Sequence, residues 1–212
     1  MTTLATMKAR IASELRRSNI SSQIADAINT AIALYQQERW YWNEGRSFTV
    51  ATVADQEFYT ATDDADIGNI EKIDYITLLV NDQPYTLLPE DPLVMERLSM
   101  NGTGTGEPRL YSFYGNQLRF YPVPDAVYTI RIGCTMTVAA PATDSETDNP
   151  WMTDAEYMIR QRVKYELASN VLIDPELAAN AEKNLENGYT RLRSKTSQRQ
   201  QLGGWVMTPT QF

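Results

Sequence analysis

Three stretches of this chain hold residue types that catalysis or metal binding would use, and each lacks a part. Gly102, Gly104 and Gly106 alternate with Thr103 and Thr105, a spacing that could wrap backbone N–H groups around a phosphate. The Lys-Ser/Thr pair of a phosphate loop is missing, and Pro108 with a strand follows where a helix should begin. A plain connecting loop is therefore expected there. Asp63, Asp64 and Asp66, and again Asp144, Glu146 and Asp148, bring carboxylates close together. Neither group has the ligand spacing or the bidentate Glu of a calcium loop, so both are expected as solvated acidic loops. The sequence has no histidine, which removes the commonest general base, the commonest metal ligand and both the Ser-His and Cys-His pairings. Cys134 stands alone in an alternating apolar run and is expected as a small buried residue rather than a nucleophile. No couple of carboxylates stands out among the 27 acids as a glycoside-hydrolysing pair. The Asn101-Gly102-Thr103 sequon matters only in a secreted chain. No catalytic residue, cofactor or metal is expected.

Other residues suit binding. Arg191, Arg193, Lys195 and Arg199 gather near the end of a helical run. They suit the helix dipole, and equally an acidic partner or a phosphate backbone. Beyond Gly203-Gly204 come Trp205, Val206, Met207 and Phe212, with no periodic element to bury them. Apolar anchors on such a stretch dock either back on their own subunit or into a partner groove, and the enrichment of Trp and Met at interfaces favours the partner. Trp40, Tyr41 and Trp42 are consecutive and cannot all face one side of a helix. They fit core packing at a helix end or a subunit contact.

The bulk properties agree with a binding or structural role. The 212 residues make one large domain or two small ones, and 42% hydrophobic with 22% charged residues is ordinary for a globular chain. No apolar run approaches the roughly 20 residues of a membrane helix, so no membrane partner is expected. No secretory signal is seen, and the lone cysteine fits a reducing compartment. A net charge of −8 argues against a grip on nucleic acid, though an acidic surface can face DNA without holding it.

The elements that must position these residues follow from periodicity. Thr3 precedes Leu4, Met7, Ile11 and Leu15, spaced three and four apart, and the helix they predict ends at Arg16-Arg17. Either serine near Ser22 could cap the next helix, with its stripe Ile24, Ala27, Ile28, Ala31, Ile32 and Tyr35 and Gly45 as its stop. Thr153 and Glu156 predict a capping box for a third helix, striped by Ala155, Ile159, Val163, Leu167 and Val171. Asp174-Pro175 opens a fourth, striped by Leu177, Ala181, Leu185 and Leu192 with Tyr189 beside them. Between the pairs the period falls to two. Strands are expected around Phe48 to Val50, Phe58-Tyr59, Ile70 to Val80, Tyr85 to Leu88, Leu110 to Tyr114, Leu118 to Tyr121 and Val127 to Val138, with a tight turn at Asn81-Asp82 and a helical turn from Leu93 to Leu98. The expected fold is α+β. N- and C-terminal helical hairpins (1–45 and 150–199) pack as one helical bundle, an antiparallel β domain (46–140) is inserted, and 200–212 form an extended docking tail.

Several segments together carry a resemblance: Leu4 to Leu15, Gln23 to Ile28, Glu38 to Glu44, Gln56 to Tyr59, Gln117 to Pro124 and Trp151 to Lys164. In their succession and spacing the chain resembles the head-to-tail adaptor (connector) proteins of short-tailed bacteriophages, the group similar to the adaptor of phage SU10. The resemblance implies a structural virion protein without enzymatic activity. It implies a homo-oligomeric ring, usually dodecameric, beneath the portal protein in the virion neck, with the protein made in the host cytoplasm. Such a ring extends the DNA channel used in ejection, passes genomic DNA without specific binding, and carries the tail nozzle and tail fibres. Portal docking by Trp205, Val206, Met207 and Phe212 is what it implies for the tail. The alternatives are a tail-side binding module that never meets the portal, and a carbohydrate-active virion enzyme.

Overall fold

The structure, a computed structural model, describes residues 2–80, 83–100, 102 and 104–201. The turn expected at Asn81-Asp82, Asn101 and Thr103 of the glycine-rich loop, and Trp205, Val206, Met207 and Phe212 lie outside them. In chain order the elements are α1 (Leu4–Leu15), α2 (Ser21–Tyr35), β1 (Glu44–Ala51), β2 (Phe58–Tyr59), β3 (Ile70–Val80), β4 (Gln83–Pro89), α3 (Pro92–Met100), β5 (Leu110–Tyr114), β6 (Gln117–Tyr121), β7 (Thr129–Met136), α4 (Pro150–Thr153), α5 (Glu156–Leu167) and α6 (Pro175–Gln201). They divide into a helical unit, Met1–Trp42 with Ala139–Phe212, and a sheet unit, Asn43–Val138.

In the helical unit Thr3 caps α1. Its Oγ1 accepts from Thr6 N at 3.3 Å while Thr6 Oγ1 accepts from Thr3 N at 2.7 Å. The cap residue of α2 is Ile20, without a side-chain bond, so neither serine caps it, but the stripe from Ile24 to Tyr35 is buried as the spacing predicts. Asn149 caps α4, its Oδ1 accepting from Trp151 N at 3.1 Å, with Pro150 at the first helical position. Thr153, expected to cap the following helix, is instead the last residue of α4 and donates to the Asn149 carbonyl at 3.2 Å, and α5 starts after Ala155 with no side-chain cap. Ala168–Leu172 widen into a π turn that ends at Ile173 with φ 51. The extra residue turns Val171 off the buried stripe and leaves it 42% exposed. Asp174 Oδ1 then accepts from Leu177 N at 3.0 Å and opens α6 at Pro175. Helix α5 packs against α6 and α2, and α1 against α2 and α5.

The sheet unit holds seven strands in the order β1-β7-β3-β4-β5-β6-β2, curled into a half-barrel. Every strand pair is antiparallel except β4–β5, which is parallel through Leu88↔Leu110 and Pro89↔Tyr111. Alternation puts Ile130, Ile132 and Cys134 of β7 inside with Ile76, Leu78, Leu118 and Phe120. Gly45, expected as a helix stop, is in β1 opposite Cys134, and α2 has already ended at Tyr35.

The expectation of N- and C-terminal helical hairpins packed as a bundle around an inserted antiparallel β domain is corrected. The middle of the chain forms a single curled sheet, with a parallel junction at β4–β5, and helices stand at both ends of the chain. Those helices are not matched pairs: α1 and α2 have 12 and 15 residues, whereas α5 has 12 and α6 has 27. The Asn-Pro start adds the one-turn α4, and no proline interrupts α6 after Pro175.

Candidate functional site

The aromatic run falls just past α2, where the chain has left helical geometry and can send three rings in different directions. Trp40 is fully buried, and its Nε1 donates to the Tyr35 carbonyl at 2.8 Å. Trp42 stacks on Trp40 with centroids 5.6 Å apart, and Trp151 meets Trp42 edge-on at 5.7 Å. Tyr189 closes the far side, edge-on to Trp40 at 5.9 Å. The surface of this cluster is left to Tyr41 and Trp42, both half-buried.

The basic residues of α6 meet this cluster along one helix face. Arg191, Lys195 and Arg199 recur every four residues, so they stack above one another. The Arg199 guanidinium lies 3.9 Å from the Tyr41 ring centroid, and Lys195 Nζ lies 4.9 Å from it. Lys195 also donates to Asp154 at 2.7 Å, and the Tyr41 hydroxyl donates to the same carboxylate oxygen. Burial raises the Asp154 pKa, but the bonds from Lys195 and Tyr41 and the nearby cations outweigh it, holding the group below the usual carboxylate value. The same carboxylate raises the Lys195 pKa, while burial and then the bond to Asp154 raise that of Tyr41. Arg193 points elsewhere, 3.6 Å from Glu38 and over the Tyr189 ring. Arg191 has no bonded partner among the described residues. With Lys195 and Asp154 it rims a cleft of about 420 Å³ between α5 and α6, floored by Met158, Leu192 and Gly188 under Tyr157.

The residues considered for catalysis or metal binding take structural places. The glycine-rich loop leads into β5 rather than a helix. Asp63 accepts from Thr60 N and Gln56, and those bonds hold its pKa down. Asp64 caps a short 3₁₀ turn through Asp66 N, and Asp144 pairs with Lys8 at 2.6 Å. Among the described residues no group of three or more His, Cys, Asp or Glu could hold a metal ion, and no helix is long and apolar enough to cross a membrane.

One buried polar cluster had no signal in the sequence. Arg119 on β6, with its side chain 7% exposed, lies 2.7 Å from Glu57 and 2.8 Å from Glu96 on α3. It donates to Ser99 Oγ at 2.9 Å and covers the Phe58 ring at 4.8 Å. Its members are scattered from position 57 to 119, so no spacing rule links them.

A family model described as SU10 adaptor protein matches residues 2–208. No curated protein matches the chain.

Proposed function

We propose, from the premise that the chain belongs to the SU10 adaptor protein family and is a structural component of a bacteriophage virion, that its copies form a dodecameric ring beneath the portal. In this reading the ring sits in the neck, extends the channel for the genomic DNA, and carries the tail nozzle and fibres. The protein is made in the host cytoplasm and assembles there. The observation that carries the proposal is the family match over residues 2–208, nearly the whole chain. Adaptors of this family are structural rather than catalytic and act between the portal side and the tail side of the virion. The net charge of −8 supports a channel wall that repels phosphates and lets DNA pass.

Trp205, Val206, Met207 and Phe212 dock into the portal in this reading, as apolar anchors following a basic helix end. Tyr41 and Trp42, with Arg191, Lys195 and Arg199, form the neighbouring contact face, Arg193 adds charge on the adjoining side beside Glu38, and buried Trp40 fixes Trp42 from beneath. The test is light scattering of the purified chain alone and mixed with the portal of its own phage, beside a variant truncated after Gln201. The full chain is expected to give a stoichiometric ring on the portal. The truncated chain is expected to keep its circular dichroism spectrum and lose the portal. Normal attachment without the tail would remove the docking role. A full chain that ignores the portal and sediments with the nozzle would favour a tail-side module, and glycoside hydrolysis in a substrate screen would favour a virion enzyme.

A further inference from the structure

We propose that the cleft between α5 and α6 receives the acidic β4–α3 corner, Leu88–Leu93, of a second copy of this chain. The proposal rests on the ring reading above and names a contact within it. Charge is the first ground. All 27 acids precede Asn187, whereas 187–201 hold Arg191, Arg193, Lys195 and Arg199 and no acid. A chain so divided presents unlike charge to its own copies, which suits a heterologous, ring-closing contact rather than a two-fold one.

The cleft's own balance is the second ground. Lys195 is committed to Asp154 and Tyr41, Arg193 to Glu38, and Arg199 to the Tyr41 ring. Arg191 is exposed and lacks a bonded partner among the described residues. Beside it the cleft's apolar surface is the Tyr157 ring, 37% exposed, since Met158 and Leu192 beneath are only 1% and 6% exposed. The fitting occupant is a carboxylate beside an apolar side chain. Polyanionic DNA fits less well, because among the described residues the cleft offers one cation not already committed, where successive phosphates need several.

The corner after β4 has that chemistry. Glu90 and Asp91 lie between Leu88 and Leu93, which are 62% and 58% exposed. Asp91 caps α3 through Leu93 N at 2.8 Å, which holds the corner in one shape. The Ile173–Glu176 turn also sets acids beside an apolar residue, but its Ile173 and Asp174 line a separate cleft of about 380 Å³.

The experiment is the assembled mass by light scattering, alone and on the portal, for the wild type and for Arg191→Glu, Glu90→Arg and their combination. Each single reversal is expected to cut the assembled fraction at least about tenfold at equal concentration, and the combination to restore it. Arg191→Lys should assemble normally. Near-ultraviolet circular dichroism of the monomers checks that folding is intact. Independently, Arg191→Cys combined with Leu88→Cys should give a ladder of disulfide-linked multimers under mild oxidation, and neither single cysteine should. If the wild type assembles and Arg191→Glu assembles equally, this contact is wrong while the ring stands. If the wild type assembles neither alone nor on the portal, the ring reading fails and this inference falls with it. If Arg191→Glu blocks assembly but the combination does not restore it and no ladder forms, the β4–α3 corner is not the occupant.

Discussion

Arg119 shows what one buried cation does in the sheet unit. Its guanidinium ties β6 to Glu57 beside β2 and to Glu96 on α3, and Ser99 Oγ donates back to Glu57 at 2.9 Å. Removing the cation leaves Glu57, 21% exposed, without its counter-charge, and an unpaired, partly buried carboxylate is costly. Arg119→Ala should therefore lower unfolding free energy by about 3 kcal/mol in urea titration. Arg119→Ala with Glu57→Gln should recover part of that loss. Equal destabilisation by the single and double variants would show that lost packing on Phe58, not the stranded charge, dominates. Asp154 works at the same scale in the helical unit. Its pKa is depressed in the fold, so its contribution is present above the unfolded carboxylate pKa of about 4 and is lost as pH falls through the lower folded value. Lys195 and Tyr41 are raised, so their contribution is present below their unfolded pKa values and is lost at alkaline pH. Asp154→Asn should cost about 1 kcal/mol at neutral pH and flatten both limbs of a stability–pH curve. An unchanged curve would mean that the Tyr41–Asp154–Lys195 bonds contribute nothing net.

At the scale of elements, α5 and α6 approach closely because Gly188 is buried under the Tyr157 ring. A Cβ there would meet Tyr157 Cδ1 at 2.8 Å. Glycine within a helix costs about 1 kcal/mol relative to alanine, so its presence marks the close approach. Gly188→Leu should destabilise by about 2 kcal/mol through overpacking. Gly188→Ala should gain close to the full helix propensity of about 1 kcal/mol only when Tyr157→Ala has cleared the ring. Equal effects of Gly188→Ala in both backgrounds, measured by urea unfolding, would show that the ring does not enforce the glycine. The elements themselves were the most legible part of the sequence. The period of α2 and the alternation of β7 each reflect one face buried against a core, and that signal is local. What was illegible is non-local or competitive. Thr153 does not cap α5 because an Asn-Pro start four residues earlier has already drawn it into α4, and α5 begins after Ala155 without a side-chain cap. The π turn that exposes Val171 has no composition of its own. The parallel β4–β5 junction joins Leu88 to Leu110 across a helix and a loop, beyond any periodic window. At the candidate site, the stacking of Trp42 on Trp40 and the gathering of Lys195 and Arg199 on Tyr41 needed α6 to pass the aromatic run. The basic spacing alone showed only that Arg191, Lys195 and Arg199 share a face.

At the scale of the molecule, the two units are built differently along the chain. The helical unit draws on Met1–Trp42 and Ala139–Phe212, so its core closes only after the intervening residues have been made. The sheet unit is one continuous segment, Asn43–Val138, with its own core of Ile76, Leu78, Leu118, Phe120, Ile130 and Ile132. A segment of roughly 100 residues with such a core is large enough to fold alone. Its β1, β3 and β7 pairings link distant parts of the segment, which makes folding slow rather than impossible. A fragment of 43–138 is therefore expected to give a single cooperative urea transition, with a slope of about 1–2 kcal/mol/M, and a near-ultraviolet signal from Tyr59 and Tyr111. The complementary helical segments, expressed without it and joined by a short linker, should retain helical content because the contacts among α1, α2, α5 and α6 lie within that unit. A fragment of 43–138 with no cooperative transition would mean that the curled sheet depends on the helical unit for its stability.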